Sequence, residues 1–192
     1  MIMKEENPMR IYKTKAFYVI SLLLMTASLS CGTRVEDLSR SGNVNDFAGV
    51  LKRGISDELD VFTDEIQKKT NAEMVIVTLR GRGKTVKDEA EKLMEQWRIG
   101  TESPGKEGIL ILLDTRKKEM AIIVTPGLGN IITSTKINVM LDVLATPRLD
   151  QSNPGGAVAA CVIQIAKILR DDMGVEIDPV YHDLSGKTGL NK

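Results

Sequence analysis

Two short, nearly uninterrupted apolar runs limit what this chain can fold into. They are EMVIVTL, Glu73 to Leu79, and GILILLD, Gly108 to Asp114. Both are rich in branched side chains and neither alternates with polar residues, so each reads as a strand buried on both faces. Such strands need a layer of cover on each side. A third run, MAIIVT (Met120–Thr125), follows the second after the turn TRKK and one glutamate. Strands joined this closely form an antiparallel hairpin.

The remaining apolar residues recur at helical spacing. Leu51, Ile55, Leu59, Phe62 and Ile66 define one face of a first helix, ended by Thr70-Asn71. Thr85 caps a second, whose apolar face is Val86, Ala90, Leu93, Met94 and Trp97. Ser134 is the expected cap of a third, with Ile137, Met140, Leu141 and Leu144 turned inward. Pro147 and Pro154 bracket a connection, and a last helix starting near Gly155 carries Val158, Cys161, Val162, Ile165 and Leu169. The helix between the first two strands is long enough for a parallel crossover. The expected fold class is α/β. It is an α/β/α sandwich in which a small mixed sheet, a parallel pair plus an antiparallel hairpin, is covered by helices on both faces.

Composition excludes several functions. Lys plus Arg equals Asp plus Glu at 26 each, and aromatics make up 4% of the 192 residues. A basic field and base-stacking platforms are both missing, so no nucleic-acid partner is expected. The one histidine, His182, excludes a His pair or a His-based zinc site within a single chain. Cys161 sits in the apolar run AVAACVIQIAKIL and reads as a small buried hydrophobe.

The N-terminus has a different character. Arg10, Lys13 and Lys15 precede an apolar run from Ala16 to Leu29, the length of a signal-peptide core. Small residues then lead to Cys31. The pattern resembles a bacterial lipoprotein signal in which Cys31 is lipidated. The expected organisation is a signal peptide over 1–30, a polar tether over 31–43, the folded domain over 44–174 and a polar tail over 175–192. The expected location is the cell envelope, with the membrane as partner through the lipid and the domain outside the cytoplasm.

Four segments in order resemble the TPM domain family: VNDFAGVL (Val44–Leu51), KKTNAEMVIVTL, EQWRIG (Glu95–Gly100) and KEGILILLDTRKKEMAIIVTPGLG. The resemblance implies an α/β/α sandwich. It also implies an acidic metal-binding pocket, since some plant members are described as acid phosphatases, while others act as assembly or repair factors. Carried over residue by residue, the pattern is depleted here. The opening aspartate is kept as Asp46. The family's D-N-G before the second strand is Lys106-Glu107-Gly108. Its G-L-E is Gly127-Leu128-Gly129, and the aspartate that follows is Ser134.

A hard divalent cation needs several convergent anionic oxygens. The candidate pocket of Asp46, Gly127, Gly129 and Ser134 offers one carboxylate. No metal ligand, catalytic residue or cofactor is therefore assigned. The glycines of TPGLGN lack the third glycine of a dinucleotide loop, and SPGKEG lacks the spacing of a phosphate loop. The expected function is a lipid-anchored envelope factor that binds an envelope protein partner without catalysis. The alternative is a metal-dependent phosphatase with a rearranged acidic set, calcium being the ion implied.

Overall fold

A computed structural model describes residues 32–177 except 84, 103 and 104. It divides the chain into Met1–Gly32 and Thr33–Lys192, and everything below concerns the second unit. Cys31, the signal segment, His182 and most of the expected tail lie outside the described residues.

Four strands form one sheet in the order β1 (Val44–Asp46), β2 (Ala72–Leu79), β3 (Glu107–Asp114), β4 (Glu119–Val124). β1, β2 and β3 run parallel, and β4 returns antiparallel to β3. The fold is the expected α/β sandwich with a parallel pair and a hairpin, extended by β1. That strand escaped the sequence reading because it is three residues long and has polar Asn45 at its centre. Its parallel bonds to β2 form all the same, starting with Ile76 N donating to Asn43 O.

Alternation along the strands divides the core into two layers. Met74, Ile76, Ile109, Ile111 and Ile122 face α1 (Arg53–Thr70) and α5 (Pro154–Met173). Val75, Val77, Leu110 and Leu112 face α2 (Val86–Gln96) on the other side. α1 ends at Asn71, whose φ of 57° turns the chain out of the helix while its amide bonds Gln67 O. Thr85 does cap α2, its hydroxyl accepting the Asp88 amide at 3.0 Å. Cys161 is fully buried in α5, and burial pushes its thiol up to about 12, with the charge of Arg148 opposing weakly. It is an inert core residue.

Four expectations need correction. The tether over 31–43 is not a free linker: Thr33 bridges to Gly81, and Val35 and Leu38 are buried against α2. Trp97 is half-buried rather than core. Its indole nitrogen donates to Leu38 O at 3.4 Å, its ring meets Phe47, and Ile99 fills the interior instead. Thr133, not Ser134, caps α3 (Ser134–Met140), because the Thr133 backbone is extended and its hydroxyl accepts the Lys136 amide. Finally, Pro147 does not break the chain into a connection. A π-helical turn, Leu141–Ala145, widens the backbone just before it, so α4 (Thr146–Asp150) continues the helical path.

Candidate functional site

The register decides whether the four candidate pocket residues meet. Asp46 closes β1 opposite Thr78, which lies opposite Leu113. Gly127, Gly129 and Ser134 follow β4, whose last residue, Val124, lies opposite Ile109, with Thr125 just beyond it bonded to Gly108 O. Five strand residues separate the two ends, about 16 Å. Asp46 is therefore at one end of the sheet and the other three are at the opposite end. The candidate pocket is split, and this is the main correction to the sequence reading. Side-chain identity signals which residues matter. Only strand register signals which end of the sheet each occupies.

At its own end Asp46 is consumed by local structure. Its carboxylate accepts the amides of Val50 at 3.1 Å and Leu51 at 2.9 Å, and the Thr78 hydroxyl as well. Thr78 in turn accepts the Ala48 amide. These bonds fold the Phe47–Leu51 loop back under β1, with Gly49 at a φ of 65° making the turn. Asp46 is a loop-holding carboxylate.

The opposite end contains a cluster that the sequence reading missed. Glu73 is the second residue of β2, whose eight residues are all buried, and is 2% exposed. Arg40 lies 2.6 Å from its Oε1 and Lys106 lies 3.2 Å from its Oε2, while the Gly100 amide donates to Oε2 at 2.9 Å. Burial pushes the Glu73 carboxyl up, but the Gly100 amide, Arg40 and Lys106 outweigh it and hold the group below the usual carboxylate range. Arg40 is itself positioned by Gly42 O and Asn43 Oδ1. Lys106 also reaches Glu102 at 3.5 Å. Next to this network, the Thr125 hydroxyl donates to Glu107. Gly127 lies directly against that carboxylate, where a Cβ would overlap it. Gly129 has more room, since a Cβ there would lie 3.2 Å from Pro126 O. Ser134 is in the first turn of α3 and lines a cleft along β4.

A second ion network lies at the Asp46 end, beyond β2 and β3. Asp114 is fully buried and accepts the amides of Gly81 at 3.1 Å, Arg116 at 2.9 Å and Lys117 at 3.3 Å. Lys117 Nζ lies 3.0 Å from Asp114 Oδ2 and 3.0 Å from Glu89 Oε2. Glu89, 3% exposed, also accepts the Gly83 amide at 2.6 Å. Burial raises Asp114, and Lys117 together with the three amides more than offsets it, so the carboxyl sits below its usual range. Desolvation lowers Lys117, but its two carboxylates outweigh that and its ammonium is held more firmly than usual. Asp114 is the last residue of β3, paired with Glu119, and its carboxylate holds the turn that follows. Lys117, in the turn TRKK, is an internal counter-ion. Gly81 and Gly83 lack side chains because the Glu89 carboxylate fills that space.

Each strongly buried carboxylate is thus matched by a cation. Among the described residues no three His, Cys, Asp or Glu side chains converge to hold a metal ion. The residues present do not fit the acidic pocket that the family resemblance implies. No described helix is long and apolar enough to cross a membrane.

The sequence model of the TPM domain matches residues 44–168, well over half the chain. The chain belongs to the TPM domain family. Solved structures agree on the fold. The N-terminal domain of a P. gingivalis protein superimposes with a TM-score of 0.67 at 19% identity, covering 74% of this chain and 95% of that one. The BA42 protein of Bizionia argentinensis gives 0.54 at 13% identity, covering 63% and 82%. The N-terminal domain of a Corynebacterium glutamicum protein gives 0.52 at 14%, covering 68% and 84%. At these identities the likeness is one of fold alone. Among curated proteins none matches the chain. Within this TPM domain, Lys106 pairs with Glu73.

Proposed function

We propose that this TPM domain is a non-catalytic binding or assembly factor, held at the cell envelope by lipid on Cys31, and that it acts on a protein partner. The observation that carries the reading is the Lys106–Glu73–Arg40 network. Where the resemblance implies an anionic pocket, this chain has an internally neutralised one. A divalent cation would have to displace an ammonium and a guanidinium to reach Glu73. Phosphoryl transfer would need a metal or free cations on the phosphate and an oriented nucleophile. Lys106 and Arg40 are already committed to Glu73, and Asp46 is committed to the Val50 and Leu51 amides. The phosphatase alternative gains no support from this arrangement.

The test is direct. Calorimetric titration of the full chain with calcium and magnesium should give only heat of dilution. Neither ion should raise the melting temperature, because a ligand stabilises only the state that it binds. Hydrolysis of p-nitrophenyl phosphate should stay at the buffer rate. Turnover abolished by Asp46→Asn or Glu73→Gln in a folded variant would overturn the reading.

A further inference from the structure

The geometry points to the outer edge of β4 as a receiving strand for one extended, uncharged segment of a partner polypeptide. The inference rests on the reading of the domain as a binding factor and gives that partner its chemistry.

β4 is the end of the sheet order. Thr125 lies opposite Gly108, and its amide donates to Gly108 O at 2.9 Å. Antiparallel pairing alternates, so the backbone groups of Ala121 and Ile123 turn toward β3. Those of Met120, Ile122 and Val124 then turn outward. Among the described residues, nothing bonds these outward N–H and C=O groups. Protein edges are ordinarily blunted by proline, lysine, a bulge or a covering segment. β4 has none of these within its six residues, and its one charge is Glu119 at the start.

The edge is flanked rather than covered. The first turn of α2 stands on one side, and Ile137, Asn138 and Leu141 stand on the other, around a cleft of about 410 Å³. The cleft is mostly apolar, and its charged lining residues are Lys87 and Glu119, one of each sign. This charge balance suits a neutral strand with alternating apolar side chains. Main-chain hydrogen bonds would supply affinity, and the walls, apolar at Ile137 and Leu141 and mixed at Thr85, Val86 and Lys87, would read alternate side chains. A second copy fits less well, because it would bring its own flanking helices into the same space. A six-residue pairing also spans only about 20 Å, and alone it falls short of the roughly 1,600 Å² buried in a standard interface.

The experiment uses a library of random heptapeptides selected on the immobilised full chain. The expected winners are uncharged and alternate in polarity. Bound as synthetic peptides, they should slow hydrogen exchange of the Met120, Ile122 and Val124 amides about tenfold or more. The Ala121 and Ile123 amides, already bonded to β3, should change far less. Ile122→Pro removes an outward N–H and no bond to β3, so it should weaken binding at least about tenfold. N-methylation of alternate peptide amides leaves the protein unaltered and should abolish binding in one of its two registers. A library without enrichment, binding that survives both changes, or slowed β4 amides caused by self-association without peptide would overturn the inference. Slowed exchange confined to Val139–Val143 would remove the edge site and leave the binding reading intact. Metal-dependent hydrolysis would remove the binding reading and leave the edge result unaffected.

Discussion

Lys106 Nζ lies 3.2 Å from Glu73 Oε2, and both side chains are largely buried. One residue comes from the loop before β3 and the other from the start of β2. Ala72 lies opposite Glu107 across the parallel pair, so the register brings the two together. With Arg40 on the second oxygen, the pair ties three segments to one end of the sheet. Where the family resemblance implies an aspartate, Lys106 supplies a cation with a structural use.

Glu73→Gln should therefore destabilise the domain at neutral pH by about 3 kcal/mol, the lower end for a broken buried pair, since Arg40 and Lys106 keep some contact with solvent. The pH dependence carries the sign. The folded Glu73 carboxyl is held below its usual range, so its stabilisation is present above the unfolded value of about 4.3. It is lost as pH falls through the lower folded value. Urea unfolding from pH 7 to pH 3 should show a smaller acid loss in the variant than in the parent. Parallel curves would mean that Glu73 is not the ionised centre of the network.

Lys117→Met tests the other network. It leaves Glu89 and Asp114 buried without their cation. The expected destabilisation is about 3 kcal/mol at pH 7. The deficit should shrink on acidification, because Asp114, whose carboxyl Lys117 helps hold below its usual range, takes up a proton more readily in the folded state once that cation is gone. A deficit that stays constant from pH 7 to pH 4 would show that packing of the lysine stem, not charge, was lost.

Cys31→Ser should move the protein from the membrane fraction to the soluble fraction of the envelope. The intact mass of the parent should exceed that of its peptide chain by the lipid. The motive is the apolar run ending in small residues at Cys31. Stable anchoring needs more than one acyl chain. An unmodified Cys31 in the intact mass would rule out the anchor.

Element types were legible because their signals are local. The continuous apolar runs gave β2 and β3, and the turn TRKK gave the hairpin. β1 was too short and too polar to show. The Arg40–Glu73 pair joins residues 33 positions apart, and nothing in the sequence marks Glu73 as different from a strand-capping glutamate. The Val35 and Leu38 contacts were hidden because two apolar residues in a polar stretch carry no period. The pocket was misplaced for a related reason. The family pattern names residues along the chain, and only the register shows that Asp46 and Gly129 occupy opposite ends of the sheet.

The last prediction asks what it would take to rebuild an acidic pocket at the Gly127 end. Gly129→Glu with Ser134→Asp places acids where the family resemblance implies them, and the Gly129 backbone tolerates a side chain with a small shift of the Pro126 carbonyl. That double variant should still bind no calcium, because Lys106 and Arg40 keep the nearby Glu73 neutralised. Adding Lys106→Asp changes the balance. It removes one cation and supplies a third carboxylate, while Arg40 and the Gly100 amide still hold Glu73. The triple variant should gain calcium binding in the millimolar range, the level reached by sites with few charged ligands. Calorimetry should show heat in the triple variant and none in the double one or the parent. A calcium-dependent rise in melting temperature should accompany it. If the double variant already binds calcium, Lys106 is not the barrier. If the folded triple variant binds none, the backbone at this end no longer has the geometry of a cation site.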